Sequence, residues 1–152
     1  MLKLPADFFS ESSATAVFEE AWTIQSGTTQ APCAIPPEFQ GAGGGFSPED
    51  LFLQALMNCF IGTFKVYARA SKLNFSNVSV KGSLRVGKDS DNKVKMQKCT
   101  LDINLEGADR PDRMAGLVDK VMRDGFVLNS VKTEVSYQLH VNGNAHETKI
   151  QT

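Results

Sequence analysis

The chain has 152 residues, 41% of them apolar and 22% charged, with a formal net charge of -1. That length suits one domain, residues 1–152, built on one sizeable core, and the composition excludes a disordered chain. The near-neutral charge, with no basic stripe along any segment, gives no electrostatic case for nucleic acid or an anionic membrane as a partner.

In chain order, the opening "MLKLPADFFSESS" lacks the apolar core of a signal peptide, because Pro5 and Asp7 interrupt it, and a cytoplasmic location is the expectation. Residues 14–24, "ATAVFEEAWTI", are rich in β-formers and partly alternate, which predicts a strand, followed by a turn at "GTTQ". The prolines and glycines of "APCAIPPEFQGAGGGF" predict an extended stretch and loop. Ser47, Pro48, Glu49 and Asp50 form a strong helix start, with a capping serine, a first-turn proline and two acids at the positive end of the helix dipole. Helical composition runs on to about Ser71 and is apolar on nearly every face, so this helix is expected to be central and covered from several sides. Asn58 and Lys65 interrupt it too much for a bilayer span.

Residues 75–86 and 93–105 alternate as strands, and "GKDSDN" between them predicts a hairpin. Residues 111–123 carry Met114, Leu117, Val118, Val121 and Met122 on one side of a second helix, which Gly125 ends. Residues 131–141 predict the last strand. Without regular β-α alternation, the class is α+β with an antiparallel sheet.

Three widely spaced cysteines, Cys33, Cys59 and Cys99, make no disulfide framework, and there is no Cys-x-x-Cys. His140 and His146 are too scattered for a zinc site, so no metal and no cofactor is expected. The run 41–45 lacks the Gly-Lys-Ser/Thr ending of a phosphate loop. Phe8, Phe9, Phe18, Trp22 and Phe39 read as core or interface rather than a ligand cage. By residue type, Cys59 is either a small core residue or a buried nucleophile, and Glu49 is either a helix-start acid or its helper.

The stretch "GGGFSPEDLFLQALMNC" resembles the hallmark of the OsmC/Ohr (osmotically inducible protein C / organic hydroperoxide resistance) family. That hallmark is a glycine-rich loop, then Pro-Glu-(Glu/Asp)-Leu opening a long buried helix, then a cysteine ten residues after the first glutamate. Pro48, Glu49, Asp50, Leu51 and Cys59 match it, and the hairpin, second helix and last strand follow in the same order. The resemblance implies an intertwined homodimer, with curved antiparallel sheets wrapped around central helices and active sites near the subunit interface. It further implies a helix cysteine that attacks a hydroperoxide, an N-terminal arginine held by the helix-start glutamate, and a second cysteine that closes a disulfide.

Two of those parts are missing. Aligning "LNSVK" with the family's turn puts Gly125 at the second-cysteine position, and the first arginine in the chain is Arg69. Only Cys59 and Glu49 carry over as catalytic residues. A cation is needed because thiolate, not thiol, attacks peroxide. Arg123, two residues before Gly125, is the first candidate; Arg113, Lys65 and Arg69 are others, and Cys33 or Cys99 could supply a partner sulfur. Two functions stay open. One is a one-cysteine thiol peroxidase acting on hydroperoxides with an external thiol as reductant. The other is a non-catalytic homodimer that binds a small hydrophobic ligand at its interface.

Overall fold

The structure is a computed structural model and describes residues 3–146 and 149–151. The chain divides into two compact units whose boundary falls after Leu51, inside the first long helix.

The N-terminal unit holds a three-stranded antiparallel sheet of β1 (Glu11–Ser13), β2 (Trp22–Ser26) and β3 (Thr29–Cys33), in the order β1-β2-β3. A two-residue turn, Gly27 and Thr28, joins β2 to β3, and Gly27 takes the φ of +59° that such hairpins favour. The strand predicted over 14–24 forms only from Trp22 onward. Residues 14–20 are all exposed, so no buried face rewards their partial alternation. Beyond β3 the backbone pairs Ala34 N with Phe46 O and Phe46 N with Pro32 O, both at 2.9 Å. A Cβ on Gly45 would come 2.6 Å from the Pro32 carbonyl carbon, so this close approach requires glycine. The helix start forms as predicted: Asp50 N–H donates to Ser47 Oγ at 2.9 Å and Ser47 N–H donates to Asp50 Oδ2 at 3.0 Å. This reciprocal cap satisfies donors that a helix start leaves open.

Helix α1 spans Pro48–Ala70. The C-terminal unit continues with β4 (Asn77–Lys88), β5 (Val94–Glu106), α2 (Pro111–Asp124), β6 (Glu134–Val141), β7 (Asn144–Ala145) and β8 (Lys149–Gln151). The sheet order is β4-β5-β6-β7, with β8 also paired to β6. The β4–β5 hairpin is antiparallel as expected, but β5 and β6 run parallel. This corrects the all-antiparallel expectation: α2 lies between them in sequence, and a helical crossover delivers the next strand in the same direction.

Leu56, Phe60, Phe64 and Ala68, four residues apart along α1, join Leu101, Ile103 and Leu105 of β5, Val118 and Val121 of α2, and Leu139 of β6 in one core. Burying each phenylalanine contributes about 1.5–3 kcal/mol. Phe52, Leu53, Met57, Cys59, Ile61 and Tyr67 are partly buried on the flanks of that face. Ala55, Asn58, Gly62, Lys65, Val66 and Arg69 are exposed, and the space beside Gly62 is open. By length and composition α1 could cross a membrane. Its row of core-facing residues shows the packing of a core helix, which passes the same test.

Candidate functional site

Cys59 is half-buried on α1, on the flank of the core. The bare backbone of buried Gly125, just past the end of α2, faces its sulfur. A Cβ at Gly125 would stand 3.0 Å from Cys59 Sγ, 2.9 Å from Leu128 Cδ1 and 3.2 Å from Val121 O. The first spacing is roughly what the Cβ–Sγ–Sγ angle of a disulfide imposes. The position that the sequence aligns with a missing second sulfur is therefore packed against the first.

Side chains fix the end of α2 there. Tyr67, two turns beyond Cys59 on α1, donates its hydroxyl to Asp124 Oδ2 at 2.9 Å, immediately before Gly125. That bond to a carboxylate pushes the Tyr67 ionisation upward. Lys120 Nζ lies 5.2 Å from the centre of the Tyr67 ring. A lone tyrosine in an apolar helix signals a polar tip in need of a partner, but not that the partner is Asp124, 57 positions away.

Arg123 Nη1 donates to Asp119 Oδ2 at 3.0 Å, and Tyr137 OH donates to Asp119 Oδ1 at 3.1 Å. Burial, then the Asp119 charge, drives the Tyr137 ionisation far upward. Beside this group lies a cavity of about 360 Å³, lined by Met122, Arg123, Leu128, Asn129, Val131, Thr133 and Val135.

Glu49 belongs to the N-terminal unit. Asp50, not Glu49, closes the helix cap, and Glu49 makes no ion pair among the described residues. Its charge is felt at Cys33, which is 3% exposed. Burial raises the Cys33 thiol, the Ala34 amide lowers it, and Glu49 raises it further. Cys99, 0% exposed in β5, is pushed up by burial to about 11. Both thiols are thus poor sources of thiolate, and all three cysteines are free. Along α1, ten residues separate Glu49 from Cys59, about 15 Å of helix axis. No three or more His, Cys, Asp or Glu are grouped to hold a metal ion among the described residues.

Residues 41–140 match the family model described as OsmC-like protein. The chain belongs to the OsmC-like family. Among solved structures, the OsmC-like chain is similar to an OsmC-like protein from Mycoplasma pneumoniae, with a TM-score of 0.79 and 12% identity over 91% of this chain and 99% of that one. It is similar also to an organic hydroperoxide resistance protein from Legionella pneumophila (TM-score 0.70, 21% identity, 90% and 98% covered). The corresponding protein OhrB of Bacillus subtilis gives 0.65 at 22% identity, with 88% and 98% covered. These likenesses establish the OsmC-like fold. An uncharacterised protein of Acinetobacter baylyi is 37% identical over 54 residues, 35% of this chain and 38% of that protein's length.

Proposed function

We propose that this OsmC-like protein is a cytoplasmic, homodimeric, one-cysteine thiol peroxidase that reduces hydroperoxides, with residues 1–152 acting as one domain. The observation that carries this reading is the half-buried Cys59 sulfur facing the bare backbone of Gly125. The Cys59 thiolate attacks the distal peroxide oxygen, the O–O bond breaks, and the leaving alkoxide takes a proton to become an alcohol. Cys59 is left as a sulfenic acid. Gly125 offers no sulfur, so an external thiol condenses with the sulfenic acid, releasing water and forming a mixed disulfide. A second external thiol displaces Cys59 and restores it.

Glu49 joins this site from the second copy. Helix rise keeps a chain's own Glu49 about 15 Å from its Cys59. Two α1 helices running antiparallel about Gln54 set Glu49 of one level with Cys59 of the other. The open face at Gly62 and the exposed Phe8 and Phe9 supply apolar and close-packing surface for such a dimer. Glu49, whose carboxylate makes no ion pair among the described residues, orients the cation that stabilises the thiolate.

A second reading rests on Arg123. Asp119 already matches its charge, which favours a non-catalytic homodimer that takes a small hydrophobic ligand. The cavity beside this pair sets apolar Met122, Leu128, Val131 and Val135 among polar Arg123, Asn129 and Thr133, which suits a ligand with an apolar body and a polar end. Cumene hydroperoxide consumption separates the two. The peroxidase consumes one equivalent quickly, with Cys59 recovered as sulfenic acid, and turns over when dithiothreitol is added. Equal consumption by Cys59→Ser overturns it in favour of the binder.

A further inference from the structure

The outer face of the β4–β5 hairpin carries an arrangement that the Cys59 site does not use. Arg85 on β4 and Lys98 on β5 are direct cross-strand partners. Like charges set opposite each other in a sheet repel and destabilise it. Both side chains are exposed, and neither forms an ion pair or side-chain hydrogen bond among the described residues. The nearest acids in register are Glu134, beside Lys98 on β6, and Asp102, opposite Lys81. Asp102 Oδ1 lies 3.7 Å from His140 Nδ1 instead.

A register shift between Arg85 and Val86 sits at the same place. Gln97, the extra residue, donates Nε2 to Lys88 O at 3.0 Å and to Asp89 Oδ1 at 2.9 Å. Its side chain lies where a Cβ on Gly87 would stand. Such bulges bend a strand and re-aim its side chains. Here Arg85 and Lys98 border one hollow of about 540 Å³, with Ser83 and Thr100 completing its polar wall.

We propose that Arg85 and Lys98, held together at this bulge, form a binding site for a phosphate monoester. A bound oxyanion turns the repulsion into attraction. The guanidinium fork suits two phosphate oxygens and the ammonium a third; the Ser83 hydroxyl is a donor at the wall, and the Thr100 hydroxyl, 3.3 Å from Ser136 Oγ, can donate to the ligand when it accepts from Ser136. This site is independent of peroxide chemistry at Cys59.

The test is thermal unfolding of the whole protein in inorganic phosphate or glycerol phosphate against sodium chloride at equal ionic strength, with amide NMR titration. Saturable shifts confined to β4 and β5 around the hollow, and a midpoint raised more by phosphate than by chloride, support the site. Arg85→Gln and Lys98→Gln are each expected to weaken phosphate binding at least tenfold, while Lys98→Gln without phosphate unfolds no earlier than the native protein. Equal responses to phosphate and chloride, or unchanged binding in both variants, overturn the proposal.

Discussion

The two units of the chain treat their large apolar side chains in opposite ways. After Leu51, Leu56, Phe60, Phe64, Leu101 and Ile103 are all fully buried in one core. Before it, Phe8 is 93% exposed and Phe9 85%, and Phe18 and Phe39 are also exposed. The sequence reading allowed core or interface for these aromatics; within the single chain, core is excluded for these four. A short unit with three small strands has too little interior to hide them. Exposed apolar side chains of this size suit a surface used in association, so the N-terminal unit is where the proposed homodimer is best tested, and the C-terminal unit holds the core.

The largest test of this contrast is Phe60→Ala, expected to cost about 3–5 kcal/mol in urea denaturation. Phe8→Ala and Phe9→Ala are expected to change the stability of the dilute chain by no more than about 0.5 kcal/mol. Their effect belongs in sedimentation, as a smaller fraction of the proposed dimer. A Phe8→Ala loss as large as that of Phe60→Ala would break the contrast, giving the N-terminal unit a core of its own.

Next comes Gly125→Ala, whose Cβ must displace Leu128 and Cys59; about 1–3 kcal/mol of destabilisation is expected from such overpacking. Gly125→Cys sharpens the same point. Mild oxidation should join positions 59 and 125 in a disulfide, seen by mass spectrometry of the digested protein, while Cys33 and Cys99 stay reduced. Four free thiols in place of those two, or a bridge from 59 to 33, would show that the sulfur does not face Gly125.

The smallest effect is a pH slope. Burial raises the Cys99 thiol from 9.0 in the unfolded chain to about 11 in the folded one. Its stabilising share is complete below pH 9 and is lost as pH rises toward 11, because the unfolded chain releases this proton first. Cys99→Ala should therefore flatten the fall in stability between those values, measured as the slope and not the absolute stability. An unchanged slope would assign the alkaline loss to other groups, such as buried Tyr137.

Local signals were legible wherever the chain supplies its own physics. Ser47, Pro48 and Asp50 form a cap from neighbouring atoms, and the hairpin and both helices announce themselves by periodicity and turn chemistry. The strand expected over 14–24 failed because alternation has meaning only where one face is buried, and there none is. The parallel β5–β6 pairing needed the path of α2, which no residue of either strand encodes.

By itself, the sequence determined the α+β elements, the family hallmark around Cys59 and the absence of a second sulfur at Gly125. Only the tertiary structure decided that Gly125 faces the Cys59 sulfur, that Tyr67 secures Asp124 beside it, and that Arg85 meets Lys98. Caps and periodic faces are set by residues a few positions apart. These contacts join residues 13 to 66 positions apart, and the packing of helices and strands alone brings them together.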